Sequence, residues 1–158
     1  MRKISIAILT ILLVSTLCSL PLAAQGKGAI LLASEKTRFK DTLIAELESL
    51  FSGAGYTVQK AQHPKGGIDA YKASDYAAVF ITNSGVNSKV RPWVTAWIEK
   101  NRASGAYILL HTTQIKDWKV VATVDAVTSA STNDEAKALA REYFTKITAA
   151  LDKKGSAQ

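Results

Sequence analysis

The stretch AVFITNSGVNSKVRPWVTAWIEKNRASGAYILL, residues 78–110, decides the fold. It opens on Ala78-Val79-Phe80-Ile81-Thr82 and closes on Ala106-Tyr107-Ile108-Leu109-Leu110, two short β-rich runs without polar alternation. Runs of that kind are strands covered on both faces, as in parallel sheets. Between them Val94, Trp97 and Ile98 recur at helical spacing, Pro92 stands where a first helical residue belongs, and Gly105 closes the segment. Strand, helix, strand with apolar strands on either side predicts a parallel βαβ unit.

The same alternation extends both ways. Upstream, Gly28 to Ala33 reads as a buried first strand, Leu43, Ile44, Leu47, Leu50 and Phe51 as a helix stopped at Gly53-Ala54-Gly55, and Tyr56 to Gln59 as a second strand. His63-Pro64-Lys65-Gly66-Gly67 is a turn cluster at the sheet's edge, whose glycines serve the backbone. Downstream, Val120 to Val127 reads as a fifth strand. Ala136, Leu139, Ala140, Tyr143, Phe144, Ile147 and Leu151 form an amphipathic last helix, opened by a capping box from Thr132 to Glu135. The expectation is an α/β domain with a doubly wound, five-stranded parallel sheet of order 2-1-3-4-5, and with the Leu43 and Leu139 helices on one face.

The first residues have the anatomy of a secretory leader: Arg2 and Lys3, an apolar run from Ile4 to Leu17, then Pro21-Leu22-Ala23-Ala24-Gln25. Cleavage is expected after Ala24, giving a periplasmic or secreted protein with no stable membrane span. Lipidation at Cys18 is the alternative, opposed by Leu17 where a small residue is wanted. The expected layout is a signal peptide at 1–24, one domain at 25–152 and a flexible tail at 153–158. Cys18 is the chain's single cysteine, so the processed domain has no disulfide, thiol nucleophile or cysteine metal site. Its two histidines, His63 and His111, stand too far apart in sequence to suggest a metal site.

The 20 Lys and Arg against 13 acidic residues give a formal charge of +7, two units of which lie in the leader. The basic residues are scattered rather than interleaved with aromatics, which speaks against nucleic acid. No Gly-x-Ser-x-Gly elbow and no paired catalytic carboxylates are evident, so no catalytic residue is assigned.

The order of elements, with Ser74 to Ile81 leading into the third strand and Val90 to Asn101 forming the helix after it, resembles the flavodoxin-like superfamily over nearly the whole processed chain. The resemblance implies an FMN site at the strand C-termini. The loop that would hold the FMN phosphate reads Ser34-Glu35-Lys36-Thr37-Arg38-Phe39; it lacks the glycine and carries Glu35 where phosphate would approach. Ser34, Thr37, Asn83, Ser84, His111, Thr112, Trp118 and Ser131 are the candidate cofactor residues. Trp118 stands in the loop that often supplies a ring stacked on the flavin.

A further segment, Asp125-Ala126-Val127-Thr128-Ser129-Ala130-Ser131, resembles the Asp-x-x-Ser/Thr-Gly-Ala-Ser/Thr acceptor of covalent FMN in exported FMN-binding domains, with Ser129 in place of the glycine. Ser131 would carry the phosphoester. Ser131 and Thr132 equally suit a helix cap. The function implied is FMN-linked electron transfer with a redox partner protein and a flavin transferase as partners. The alternative is a cofactor-free binding module for a protein or small anion.

Overall fold

The computed structural model describes residues 26–85, 89–113 and 120–156; the expected leader, Cys18 and Trp118 lie outside the described residues. Five strands, β1 (Ala29–Ser34), β2 (Thr57–Gln62), β3 (Ala78–Ser84), β4 (Tyr107–Thr113) and β5 (Asp125–Ser129), form one sheet in the order β2-β1-β3-β4-β5. Every adjacent pair is parallel. The expected topology is the observed one.

Side chains alternate across the sheet and divide the core in two. Ile30, Leu32, Phe80 and Leu109 face α1 (Arg38–Gly53) and α3 (Ala136–Gly155), and pack with Leu43, Leu47, Phe51, Ala140, Tyr143 and Ile147. Leu31, Val79, Ile81 and Leu110 face α2 (Pro92–Asn101) and pack with Val94, Trp97 and Ile98. The Leu43 and Leu139 helices therefore share a face. On the α2 side the link from β2 to β3 consists of two 3₁₀ segments, Pro64–Ala70 and Ala73–Asp75.

Local signals explain the element ends. Thr37 caps α1, its hydroxyl accepting from the Lys40 backbone N–H at 3.2 Å. Gly55 takes φ of 89° after that helix, in the left-handed region that glycine enters without steric cost. Pro92 opens α2 as expected.

Three expectations need correction. The fifth strand begins at Asp125, not Val120, because pairing with β4 starts at Leu109 opposite Asp125. The alternating residues before it lie against the α2-side core through Val120, Ala122 and Val124, so their pattern reflects packing rather than a ladder. The last helix runs to Gly155, past the expected tail boundary, with Lys153 and Lys154 in the turn where cations complement the helix dipole. Finally, no side chain caps the Asn133–Glu135 3₁₀ turn or α3. Thr132 instead donates its hydroxyl to the Glu135 carboxylate at 2.6 Å, and the backbone N–H of Glu135 goes to Thr132 O. Among the described residues no helix is long and apolar enough to cross a membrane.

Candidate functional site

The order of strands reverses between β1 and β3, and ligands of open α/β sheets sit beyond the strand C-termini at such a point. A cleft of about 300 Å³ opens there, lined among others by Thr37, Lys40, Ser84, Thr113, Ser131 and Asn133. Three of the candidate residues, Thr37, Ser84 and Ser131, thus meet at one opening. The volume is at the low end for small-molecule sites, so a larger ligand would extend into solvent.

An ion pair lies beside the cleft, with Lys40 in its lining and Glu35 in that of a separate hollow. Lys40 is 1% exposed although it lies one helical turn before Leu43 and Ile44; its ammonium bonds the Glu35 carboxylate and donates to Ser84 Oγ at 2.7 Å. Burial alone would raise the pKa of Glu35, but the bond and charge of Lys40, helped by Ser84, hold it below the ordinary carboxylate value. Burial lowers Lys40, against the opposing pull of Glu35. Ser34 is tied in beside the pair: its Oγ donates to Glu35 O at 2.8 Å and accepts from Thr82 Oγ1 at 3.3 Å.

The pair closes the route by which a flavodoxin-like loop would take an FMN phosphate. Three residues, Glu35 to Thr37, connect β1 to α1. The Lys40 backbone N–H is spent on the Thr37 cap, and the Lys40 ammonium is neutralised by Glu35. A phosphate brought here meets a carboxylate held in its charged form. These residues do not fit a non-covalent phosphate.

His63, just after β2, stands at this end of the sheet as well. It is fully buried, and its Nε2–H donates to Thr82 O at 2.6 Å, locking the end of β2 to β3. Burial depresses its pKa, with the nearby Glu35 charge opposing. β2 runs three residues further than its apolar pattern and places His63 within reach of the Glu35 and Lys40 charges, outside the lining of the cleft.

His111, on β4, is fully buried among Phe39, Phe80 and Tyr143, with ring centroids 6.0, 5.9 and 5.2 Å away. Burial, reinforced by the Lys40 charge, pushes its pKa down to about 3, so the ring is neutral. Ser129 donates its hydroxyl to Ala130 O at 2.9 Å, so the 2.8 Å contact between His111 Nε2 and Ser129 Oγ has the imidazole as donor. His111 therefore braces the last residue of β5 and the turn that presents Ser131. Ser131 itself is exposed.

Asn83 and Thr112 are fully buried and do not face the cleft. Two residues beyond Ile81 and Leu110, they point to the α2 side. The eight candidates thus divide: Thr37, Ser84 and Ser131 line the cleft, Ser34 and His111 support it, Asn83 and Thr112 lie across the sheet, and Trp118 is outside the described residues.

No family model matches the chain, and no curated protein matches it. Among solved structures it is similar to the flavodiiron protein from Giardia intestinalis, at 13% identity with a TM-score of 0.58 over 80% of this chain. This is a flavodoxin-like fold. The chain spans 37% of that protein's length, and the likeness carries the fold and nothing finer. Weaker likenesses include a flavodoxin from the domain Archaea (11% identity, 76% of this chain and 99% of that one, TM-score 0.48) and a response regulator protein from Burkholderia multivorans (19%, 73% and 94%, TM-score 0.45).

Proposed function

We propose that this is an exported electron-transfer protein that carries FMN covalently on Ser131, instead of holding its phosphate in the β1–α1 loop. One observation carries the reading: Ser131 is exposed at the mouth of the cleft, and no side chain there caps the helix that follows. The acceptor-like segment Asp125–Ser131 thus ends on a hydroxyl that the fold leaves available.

The chain's own residues have definable tasks. The neutral His111 holds Ser129, and through it the Ala130 carbonyl, so the acceptor turn is anchored on one side. Tyr107 donates to Asp125 Oδ2 at 2.7 Å and fixes the start of the segment. Arg38 lines the same cleft, and its charge favours a phosphodiester beside Ser131. Modification requires FAD and a flavin transferase. Ser131 Oγ forms a bond to the FMN phosphorus, the pyrophosphate bond of FAD breaks, AMP leaves, and the hydroxyl proton passes to a base of the transferase. A bound flavin supplies one- and two-electron chemistry. Covalent attachment suits an exported protein, because a cofactor lost outside the cell is not replaced. A soluble redox protein is the partner this role requires.

Co-expression with a flavin transferase, followed by intact-mass measurement, tests the proposal. The wild type should gain the mass of one FMN less one water. Ser131→Ala should gain none, and Thr132→Ala should gain as much as the wild type. An unmodified wild type, under conditions that modify a known acceptor, would overturn this reading and favour a cofactor-free binding module. The same measurement reads the mature N-terminus, expected at or near Gln25 without lipid.

A further inference from the structure

The chain between β4 and β5 leaves one apolar side chain outside the core. Val120, Ala122 and Val124 pack against the α2-side core, and Val121 between them is 94% exposed. Among the described residues it is the one large apolar side chain left uncovered. A hollow of about 210 Å³ lies beside it, lined among others by Val90, Ile98, Glu99, Leu110, Val121 and Ala122. Val121 thus belongs to the wall of the hollow, so an apolar knob and an apolar hole share one patch. That adjacency restricts what can cover them. A knob that fits a hole elsewhere on the molecule builds open chains. Knob and hole within one patch close instead as a two-fold pair, each copy giving its knob to the other's hole.

The charges at the two ends of the hollow are self-complementary in the same way. Lys89 is exposed, next to Val90 and three residues before α2. Glu99 lines the hollow about 10 Å along α2 from Pro92. Neither serves the dipole of α2, which favours anions at the start of a helix and cations at its end. Glu99 accepts from Arg102 at 2.9 Å and from the Thr123 hydroxyl at 2.7 Å, and its side chain is still 44% exposed. A two-fold axis through the hollow exchanges its ends. It sets α2 antiparallel to α2 of a second copy, and each Lys89 falls toward the other copy's Glu99.

We propose that this face pairs two copies of the chain, each Val121 seated in the other copy's hollow against Ile98 and Leu110, with Lys89 and Glu99 matched across the axis. The hollow shares no lining residue with the Ser131 cleft, and the pairing does not depend on flavin. A contact of this size is weak, with a Kd on the order of 100 µM.

Sedimentation equilibrium of the protein purified without a flavin transferase, at concentrations below and above that Kd, tests it. The wild type should pass reversibly from monomer to dimer. Val121→Asp, at a position exposed enough to leave the fold intact by circular dichroism, should weaken the dimer by about a hundredfold, because both copies lose a buried valine. Lys89→Glu and Glu99→Lys should each weaken it by about threefold or more, the scale of two rim ion pairs. Their equimolar mixture should associate as tightly as the wild type, since each variant then meets the opposite charge. A wild type that is monomeric at every concentration gives the hollow another occupant and overturns the proposal. So does a Val121→Asp variant that dimerises like the wild type, or a mixture no tighter than its two components alone. The measurement is made without flavin, so its failure is distinct from a failure of the Ser131 reading.

Discussion

His111 makes the stability of this protein acid-sensitive by a calculable amount. In the unfolded chain the ring titrates at its ordinary value of 6.5; in the fold, burial and the Lys40 charge bring it to about 3. Between those values the unfolded state binds a proton that the native state refuses. Stability is therefore fully present above pH 6.5 and is lost as pH falls toward 3. The whole effect is about 5 kcal/mol, and the part lost between pH 7 and pH 5 works out at about 2 kcal/mol. His63, also depressed, adds to the slope in the same direction. Glu35 is held below 4.5 and contributes little until the pH drops further. His111→Phe isolates the ring. It suits the aromatic surroundings, removes the titration, and deletes the bond to Ser129, which should cost about 1 kcal/mol at pH 7. Urea unfolding at pH 7 and pH 5 is the assay. The wild type should lose about 2 kcal/mol more than the variant over that interval, by the linkage above, which brings the variant level with the wild type or past it at pH 5. Equal losses would refute a buried neutral His111.

Breaking the Glu35–Lys40 pair by Lys40→Met should cost about 3 kcal/mol, the toll of an uncompensated buried charge, and Glu35→Gln with Lys40→Met together should recover much of it. A double-mutant cycle of urea midpoints measures this, and simple additivity would deny the pair. Thr37→Ala should cost about 0.5–2 kcal/mol through the lost cap of α1, read by thermal unfolding.

The topology was legible because fully covered strands write themselves as apolar runs, and Ala78 to Leu110 contains two of them around a helix. Misreadings arose where burial is one-sided. β2 lies at the sheet edge, and of Gln59 to Gln62 only Ala61 is buried, so its apolar pattern fades before the strand ends. That hid the last three residues of β2. The residues from Val120 to Val124 alternate as a strand would, yet they pack on the α2 side without pairing. Lys40 was visible in principle. It stands three and four residues before Leu43 and Ile44, on the inner stripe of α1, where a lysine must find a partner. Asn83 and Thr112 stand near strand ends, but the period of two sends them to the face opposite Ser84 and Thr113. Proximity to the strand end could be read without the face.

The Glu35–Lys40 pair also separates two questions that the fold alone would merge. A flavodoxin-like sheet presents its switch point to a ligand, and the first loop is where an FMN phosphate would be expected. Here that position is filled from within by a carboxylate and an ammonium that satisfy each other, with Ser84 completing the lysine's contacts. Admitting a phosphate would bring it against Glu35 or strip Lys40 of its partner, and either step is unfavourable inside a protein. The cleft's remaining free chemistry lies further along the sheet, at the end of β5, where Ser131 is exposed and its turn is braced by His111. The covalent attachment proposed above is on that side. The fold then supplies the opening, and a bond to Ser131 replaces the loop that the ion pair has closed.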